Sequence, residues 1–343
     1  MISPQKILIV RTDRIGDVVL SLPMAELIKQ KYPDCKVAYF LRRYTSPLLD
    51  GNPFIDEVIV ADEFQGEILF NKNLKKIKTG GFDTCVVVNP TFKISAMMFL
   101  AGIRYRIGTG YRLYSFLFNR KIFEHRKFGE KHELEYNTGL LRTMGLEVKD
   151  FSNDINFHLN VTEETSEKID NLLKEEGFES ENKLVIIHPG SGGSSVDLPI
   201  EKFIELTRKL SELKDLSIVI TGSKNEVELC KKFEINDSVI NFTGQLDISL
   251  LKALIKKADL FISNSTGPLH IAAAFGVYVI GFYPKILSCS QKRWGPYTKH
   301  KTIFNPTIDC SNCTREQCEK LNCMNSIDIG RVFDETRRVL NIY

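Results

Sequence analysis

Two carboxylates and a set of small polar loops are the features of this 343-residue chain whose residue types and spacing suit chemistry. Asp13 and Asp17 stand in Arg11-Thr12-Asp13-Arg14-Ile15-Gly16-Asp17, directly after an apolar run. A carboxylate at the end of a strand can take the proton of an attacking hydroxyl as a general base. The same spacing suits a helix N-cap, so both readings of Asp17 stand at this level. In the second half, Ser263-Asn264-Ser265-Thr266-Gly267-Pro268-Leu269-His270 joins a short buried strand to a helix that Pro268 opens. The first turn of that helix offers unpaired N–H groups and a positive dipole end, which suits a phosphate, and His270 falls on the same turn. The plain alternative is an ordinary turn capped by Ser or Thr.

His188-Pro189-Gly190-Ser191-Gly192-Gly193-Ser194 is a second candidate, because missing side chains let backbone amides approach phosphate oxygens. It lacks the Gly-Lys-Ser/Thr ending of a P-loop and is no dinucleotide fingerprint. With Thr221-Gly222-Ser223, Thr243-Gly244 and Ser265-Thr266-Gly267 it makes four small polar loops at successive strand ends, which points to a diphosphate nucleotide. No Asp-x-Asp pair or histidine cluster suggests a catalytic metal, so leaving-group charge falls to helix dipoles and loop amides.

These loops need elements to hold them. Strands are predicted over 6–10, 37–41, 57–60 and 84–88, then over 183–187, 216–220, 239–243, 260–262 and 277–282, alternating with helices. That alternation reads as parallel βαβ units in two doubly wound α/β halves, with ligands at the carboxyl ends of the strands. Pro23 leaves two starts open for the first helix, near Asp17 or near Leu20. Residues 71–78, 132–145, 201–213, 225–233, 248–257 and 328–340 read as helices, and the polar stretch 147–160 as a linker. Domains are therefore expected at 1–160 and 161–325, with 326–343 a terminal helix free to pack on either, the N-terminal domain included.

From Lys93 the chain interleaves Arg104, Arg106, Arg112, Arg120, Arg126 and Lys127 with Tyr105, Tyr111, Tyr114 and Phe116. This suits a phosphorylated, sugar-bearing or lipid-linked acceptor, or equally a solvated loop region with snorkelling side chains. A net charge of +3 is too small to argue for nucleic acid. No apolar run is long enough to span a bilayer and no secretory signal opens the chain, so it reads as cytoplasmic, with peripheral contact at the inner face of the inner membrane left open. Cys35, Cys85 and Cys230 sit in separate apolar segments as reduced core thiols do. Cys310, Cys313, Cys318 and Cys323 lie within fourteen residues without paired Cys-x2-Cys halves; a structural metal, a disulfide pair and free thiols all stay open.

The chain resembles glycosyltransferase family 9, the ADP-heptose lipopolysaccharide heptosyltransferases. The likeness runs through Ile7–Leu20, Ala101–Gly108, His132–Asn137, the glycine loop, Ser263–Ala274, Arg293–Tyr297 and the terminal cysteines. It implies a GT-B fold of two Rossmann-like domains facing across a cleft, with acceptor on the first and nucleotide sugar on the second. It further implies inverting, metal-independent transfer to a lipopolysaccharide core or another glycan or glycolipid hydroxyl, with no cofactor beyond an ADP-heptose-like donor. Asp17 would be the base. Ser191, Gly192, Ser223, Glu226, Thr243, Ile248, Ser265, Thr266, Gly267, Pro268 and His270 would line the donor nucleotide, and Asp13, Arg14, Arg104, Arg106 and Arg112 the acceptor. Two positions depart from the family: Val196 stands where a Lys or Arg often reaches the donor phosphate, and Ser265 where some members carry an aspartate. Lys224 or Arg293 could supply the missing charge. A nucleotide-sugar epimerase or hydrolase, and a non-catalytic sugar-nucleotide or glycan-binding protein, are the alternatives on the same fold.

Overall fold

A computed structural model describes residues 3–151, 155–233, 235–236, 238–308 and 313–342. The chain divides into two compact units, 1–126 with 131–160, and 127–130 with 161–343. Strands of the first unit are β1 (Lys6–Val10), β2 (Lys36–Leu41), β3 (Glu57–Val60), the ribbon β4 (Glu63–Phe64) and β5 (Glu67–Ile68), β6 (Thr84–Val87), β7 (Tyr105–Thr109) and β8 (Arg120–Ile122). The second holds β9 (Lys183–His188), β10 (Leu216–Ile220), β11 (Val239–Asn241), β12 (Leu260–Asn264), β13 (Tyr278–Phe282) and β14 (Lys301–Phe304).

Both main sheets are wholly parallel and six-stranded, ordered β3-β2-β1-β6-β7-β8 and β11-β10-β9-β12-β13-β14. Ile7 to Val10 and Val185 to Ile187 are buried on both faces, which is why these strands read as unbroken apolar runs rather than alternating ones. In each sheet the order reverses beside the first strand, between β1 and β6 and between β9 and β12. Ligands collect at such switch points in open α/β sheets, outside the carboxyl ends of the strands.

Four expectations are corrected. The basic and aromatic stretch is not loop: it holds the helix Phe92–Leu100 and the strands β7 and β8. Ile94, Met97, Met98, Ile107 and Phe118 face the core there, and the arginines between them hid the pattern. Pro23 gives two helices where one was expected, Ile15–Val19 and Pro23–Lys31, because a residue without an N–H is tolerated only in a first turn. The predicted helix at 225–233 shrinks to Val227–Cys230 between 3-10 turns. The helix begun at Glu133 ends at Gly139 and tightens into a 3-10 turn, Leu140–Met144, which Gly145 stops at φ 71°.

The terminal helix Ile329–Leu340 belongs to the second unit, not the first. Ile329, Val332 and Leu340 join Phe203, Leu206 and Leu210 of the helix Ile200–Ser211 in one core.

Candidate active site

In the first unit, β1 runs directly into Arg11, whose backbone N–H still donates to Phe40 O at 3.0 Å. The ladder therefore delivers a guanidinium to the switch point, where it is 1% exposed. Such a cation must be paired. Its Nε lies 2.9 Å from Asp13 Oδ1, its Nη2 ion-pairs with Asp17, and Glu133 Oε1 lies 3.6 Å away. Asn89, just beyond β6, donates to Asp13 Oδ2 at 2.8 Å. Arg126 ion-pairs with Glu133, and Asn137 of the same helix as Glu133 donates to Leu20 O at 3.0 Å, fixing that helix on the turn after Asp17.

Asp17 is not an N-cap. Arg14 holds the cap position of the helix Ile15–Val19, and Asp17 is its third residue, facing Arg11. Burial pushes the Asp17 carboxyl up to about 6; Arg11 pulls the other way, and Asp13 and Glu133 add to the rise. Burial opposes the charge of Arg11 as well, but the three carboxylates outweigh it and keep the guanidinium protonated. The result is a carboxylate poised near neutrality and fixed in direction, which is what a general base requires.

The other expected acceptor residues do not join this cluster. Arg14 is exposed. Arg106 donates to Leu117 O at 2.8 Å and also to Ile103 O, so its guanidinium is tied to backbone. Arg104 lies 5.1 Å over the Tyr105 ring, and Arg112 is exposed.

In the second unit, the loop after β9 is built by hydrogen bonds to the turn after β12. Asn264 donates to Pro189 O at 2.6 Å and accepts from Leu198 N at 2.8 Å, clamping both ends of the glycine loop. Ser194 Oγ donates to Ser191 O and to Ser265 O, both at 2.9 Å. Gly192 and Gly193 take φ of +55° and +74°, where side chains are strained. The buried Ser191 meets the Asp197 carboxyl, which burial raises to about 6 against that hydrogen bonding.

The helix Gly267–Phe275 opens with Thr266 at its cap and no side-chain cap bond, so no Ser or Thr side chain claims its first amides. Ser265, Thr266, Pro268 and His270 are buried beside it. Glu226 closes a capping box, accepting from Ser223 N and Ser223 Oγ at 2.7 Å, and its carboxylate leaves no room for a side chain at Gly190: a Cβ there would fall 1.7 Å from Glu226 Oε1. Thr243 packs over Gly222. Ile248 opens the helix Ile248–Lys257, half-buried, after the cap Asp247. His188 bonds Thr221 Oγ1 at 2.9 Å, and burial lowers it to about 4, so it is neutral at pH 7.

Val196 is 7% exposed and belongs to the apolar core, so no cation stands at that position. A cation reaches the loop from elsewhere: Arg315 donates to Gly193 O and Ser195 O at 3.0 Å each. Lys224 is exposed, and Arg293 lies 5.0 Å over the Trp294 ring. Sequence reasoning assigned no role to Arg11, Glu133, Asp197, Asn264 or Arg315. A charged residue ending a buried strand was a signal for Arg11, a polar residue ending β12 was one for Asn264, and the family likeness over His132–Asn137 was one for Glu133; nothing in the sequence marked Arg315.

Cys318 and Cys323 are buried in the second unit and Cys313 is half-buried, while Cys310 lies outside the described residues. Among the described residues no group of three or more His, Cys, Asp or Glu is placed to hold a metal ion. The core thiols Cys35 and Cys85 are pushed by burial up to about 11 and about 12, which leaves them protonated.

Known proteins resemble this chain in sequence and in fold. A Haemophilus influenzae protein with a provisional glycosyltransferase name is 29% identical over 306 residues, 85% of this chain and 86% of its own. The lipopolysaccharide core heptosyltransferase OpsX of the same organism is 25% identical over 289 residues, 82% of this chain and 79% of its own. The solved structure of Escherichia coli ADP-heptose lipopolysaccharide heptosyltransferase II has the same fold, with a TM-score of 0.79 at 19% identity over 98% of each chain. The family model described as glycosyltransferase family 9 (heptosyltransferase) matches residues 71–324, so this chain, an enzyme of two Rossmann-like units in the GT-B class, belongs to that family.

Proposed function

We propose that the chain transfers a heptose or related sugar from an ADP-linked donor to a hydroxyl of a lipopolysaccharide core or another glycan or glycolipid, with inversion and without a metal. The observation that carries this reading is Asp17, a carboxylate raised to about 6 and aimed by a buried arginine at the switch point of the first sheet. In the reaction the acceptor oxygen attacks the sugar's anomeric carbon and its proton passes to Asp17. The bond from that carbon to the diphosphate oxygen breaks, and its electron pair leaves with ADP. The amides that open the helix Gly267–Phe275, together with the loop Gly190–Ser194, receive the growing negative charge. Arg315 adds positive charge beside that loop in the absence of a cation at position 196.

The membership of the family and the ADP-heptose named for the Escherichia coli enzyme support the donor. OpsX, a lipopolysaccharide core heptosyltransferase, supports the acceptor class, and with such an acceptor the chain would work at the inner face of the inner membrane. The test is transfer from ADP-heptose to a heptose-deficient lipopolysaccharide core, with Asp17→Asn beside the wild type. Turnover should fall by about 10²–10⁴, the range of a general base, while ADP affinity is unchanged. A chelator should leave the wild-type rate as it was. An Asp17→Asn variant within a fewfold of wild type would remove Asp17 from the chemistry.

A further inference from the structure

We infer that the helix Phe92–Leu100 and the segment from β7 to β8 form an interfacial surface that docks the first unit on an anionic lipid bilayer. Residues 91–123 contain six Lys or Arg and no Asp or Glu, in a chain with 43 acidic residues overall. The same stretch carries seven of the fourteen exposed large apolar side chains among the described residues: Phe92, Phe99, Leu100, Tyr111, Leu113, Phe116 and Phe123. Leu113 is fully exposed at 101% and Phe116 at 71%. Isolated exposed apolar residues need no explanation, but half of them within a tenth of the chain do.

Side-chain contacts tie the helix Phe92–Leu100 to the segment that follows β7, and the start of that segment to the residue after β8. Tyr114 donates to Pro90 O at 2.6 Å and packs edge-on to Phe92, with ring centres 6.0 Å apart. Arg106 lies 5.1 Å over Phe99 while donating to Leu117 O, which ties the end of the helix to the 3-10 turn Ser115–Leu117. Tyr111 meets Phe123 edge-on at 5.6 Å. Lys93 pairs with Glu67 at 3.4 Å. The nearest acid along the chain, Glu124, is committed to Lys131 and Arg142, and among the described residues it pairs with neither Lys121 nor the arginines of the patch, so most of the positive charge stays uncompensated.

Exposed apolar side chains interspersed with an excess of Lys and Arg match the two layers of an anionic leaflet: phosphate headgroups outside and acyl chains beneath. A second copy of the chain fits poorly, because a self-complementary pairing would set like charges against each other. Single-stranded nucleic acid would use the aromatic rings, but it has no use for a fully exposed Leu113.

The test is sedimentation of the full-length protein with vesicles of phosphatidylcholine alone and of equal parts phosphatidylcholine and phosphatidylglycerol. The protein should pellet with the anionic vesicles and be released by salt. Leu113→Asp with Phe116→Asp should weaken that partition by about tenfold or more. Val58→Asp, exposed in the same unit on β3, the opposite edge strand of the sheet from β8, should leave it unchanged. Thermal unfolding checks the fold, and if the aspartate pair melts early, Arg112→Glu with Lys121→Glu reads the same surface through its charge. No pelleting of the wild type with anionic vesicles, or wild-type partition in both double variants, overturns the inference. So does tighter binding to a single-stranded oligonucleotide, or a dimer lost in the same variants. Vesicle binding needs no donor, so its failure and that of the proposed transfer are read separately.

Discussion

At the switch point of the first unit three carboxylates crowd one buried guanidinium; at the matching point of the second, serines, a threonine and uncapped helix amides surround a loop clamped by Asn264. The two sheets share one strand order, so the contrast owes nothing to topology. It lies in the first residues after the strands: Arg11 after β1, against His188, neutral and hydrogen-bonded to Thr221, at the end of β9. On the proposed reading, one fold holds a site suited to moving a proton and a site suited to receiving an anion, and neither set of residues would serve the other task.

The widest gap between the units should appear in stability. Arg11→Met would leave Asp13, Asp17 and Glu133 facing one another in a buried site, and breaking such an ion cluster costs about 3–5 kcal/mol. Denaturant unfolding of the first unit should show that loss at neutral pH and recover part of it in acid, as the carboxylates protonate. A loss under 1 kcal/mol at neutral pH would mean that water, not Arg11, stabilises those charges. Removing the clamp of the second unit should cost less. Asn264→Ala leaves the Leu198 amide and the Pro189 carbonyl without their partner, about 1–3 kcal/mol, with a matching fall in ADP affinity because the loop loses its fixed shape. Calorimetry that finds ADP affinity unaltered would separate the glycine loop from the donor.

Titration sharpens the contrast. Asp17 must be ionised to take a proton, so kcat/KM should rise with pH and level off above about 6. In the second unit His188 is already neutral from pH 5 to 8, and Asp197, raised to about 6 beside Ser191, is the group whose ionisation can move ADP affinity, so ADP binding measured at each pH separates the two sites. The sign for stability is opposite. The folded-state value of Asp17 lies above its ordinary 3.8, so the folded protein binds the extra proton. That contribution is complete below 3.8 and is lost as pH rises through about 6. Asp17→Asn should therefore melt no lower than wild type at pH 7, as expected where a site is tuned for chemistry rather than stability. A rate flat from pH 5 to 8 would show that proton transfer to Asp17 does not limit turnover.

The strands that were legible, such as β1 and β9, carry unbroken apolar runs that stop abruptly at a polar or charged residue; β7, β8 and β14 were not, because Arg, Lys, Gly or Thr interrupts their few apolar positions. β1, β3 and β10 carry the bounds that their sequence pattern predicts, and the helix Ile248–Lys257 does too. The ends that turn on the site were readable for the same reason, since Ser265-Thr266-Gly267 and the glycine loop are built from residues with almost no other use. What stayed hidden came from far along the chain. Glu133 meets Arg11 only because β1 and the helix Glu133–Gly139 converge in space, and Arg106 looked like an acceptor contact because its backbone partners, Ile103 and Leu117, cannot be read from spacing.

Arg315 is the clearest case of such a distant partner, and the smallest effect follows from it. It reaches the glycine loop from the helix Arg315–Lys320, which its own ion pair with Glu319 supports at 2.8 Å. Its side chain is half exposed, so solvent screens its charge, and the two backbone contacts shape the loop more than they stabilise the fold. Arg315→Ala should leave the melting temperature within a degree or two and weaken ADP by about threefold to tenfold. Arg315→Lys keeps the charge and loses the paired geometry. If Lys restores the affinity, the second site draws on positive charge after all and differs less from the first than its neutral lining suggests; if only Arg does, the loop's shape carries the binding.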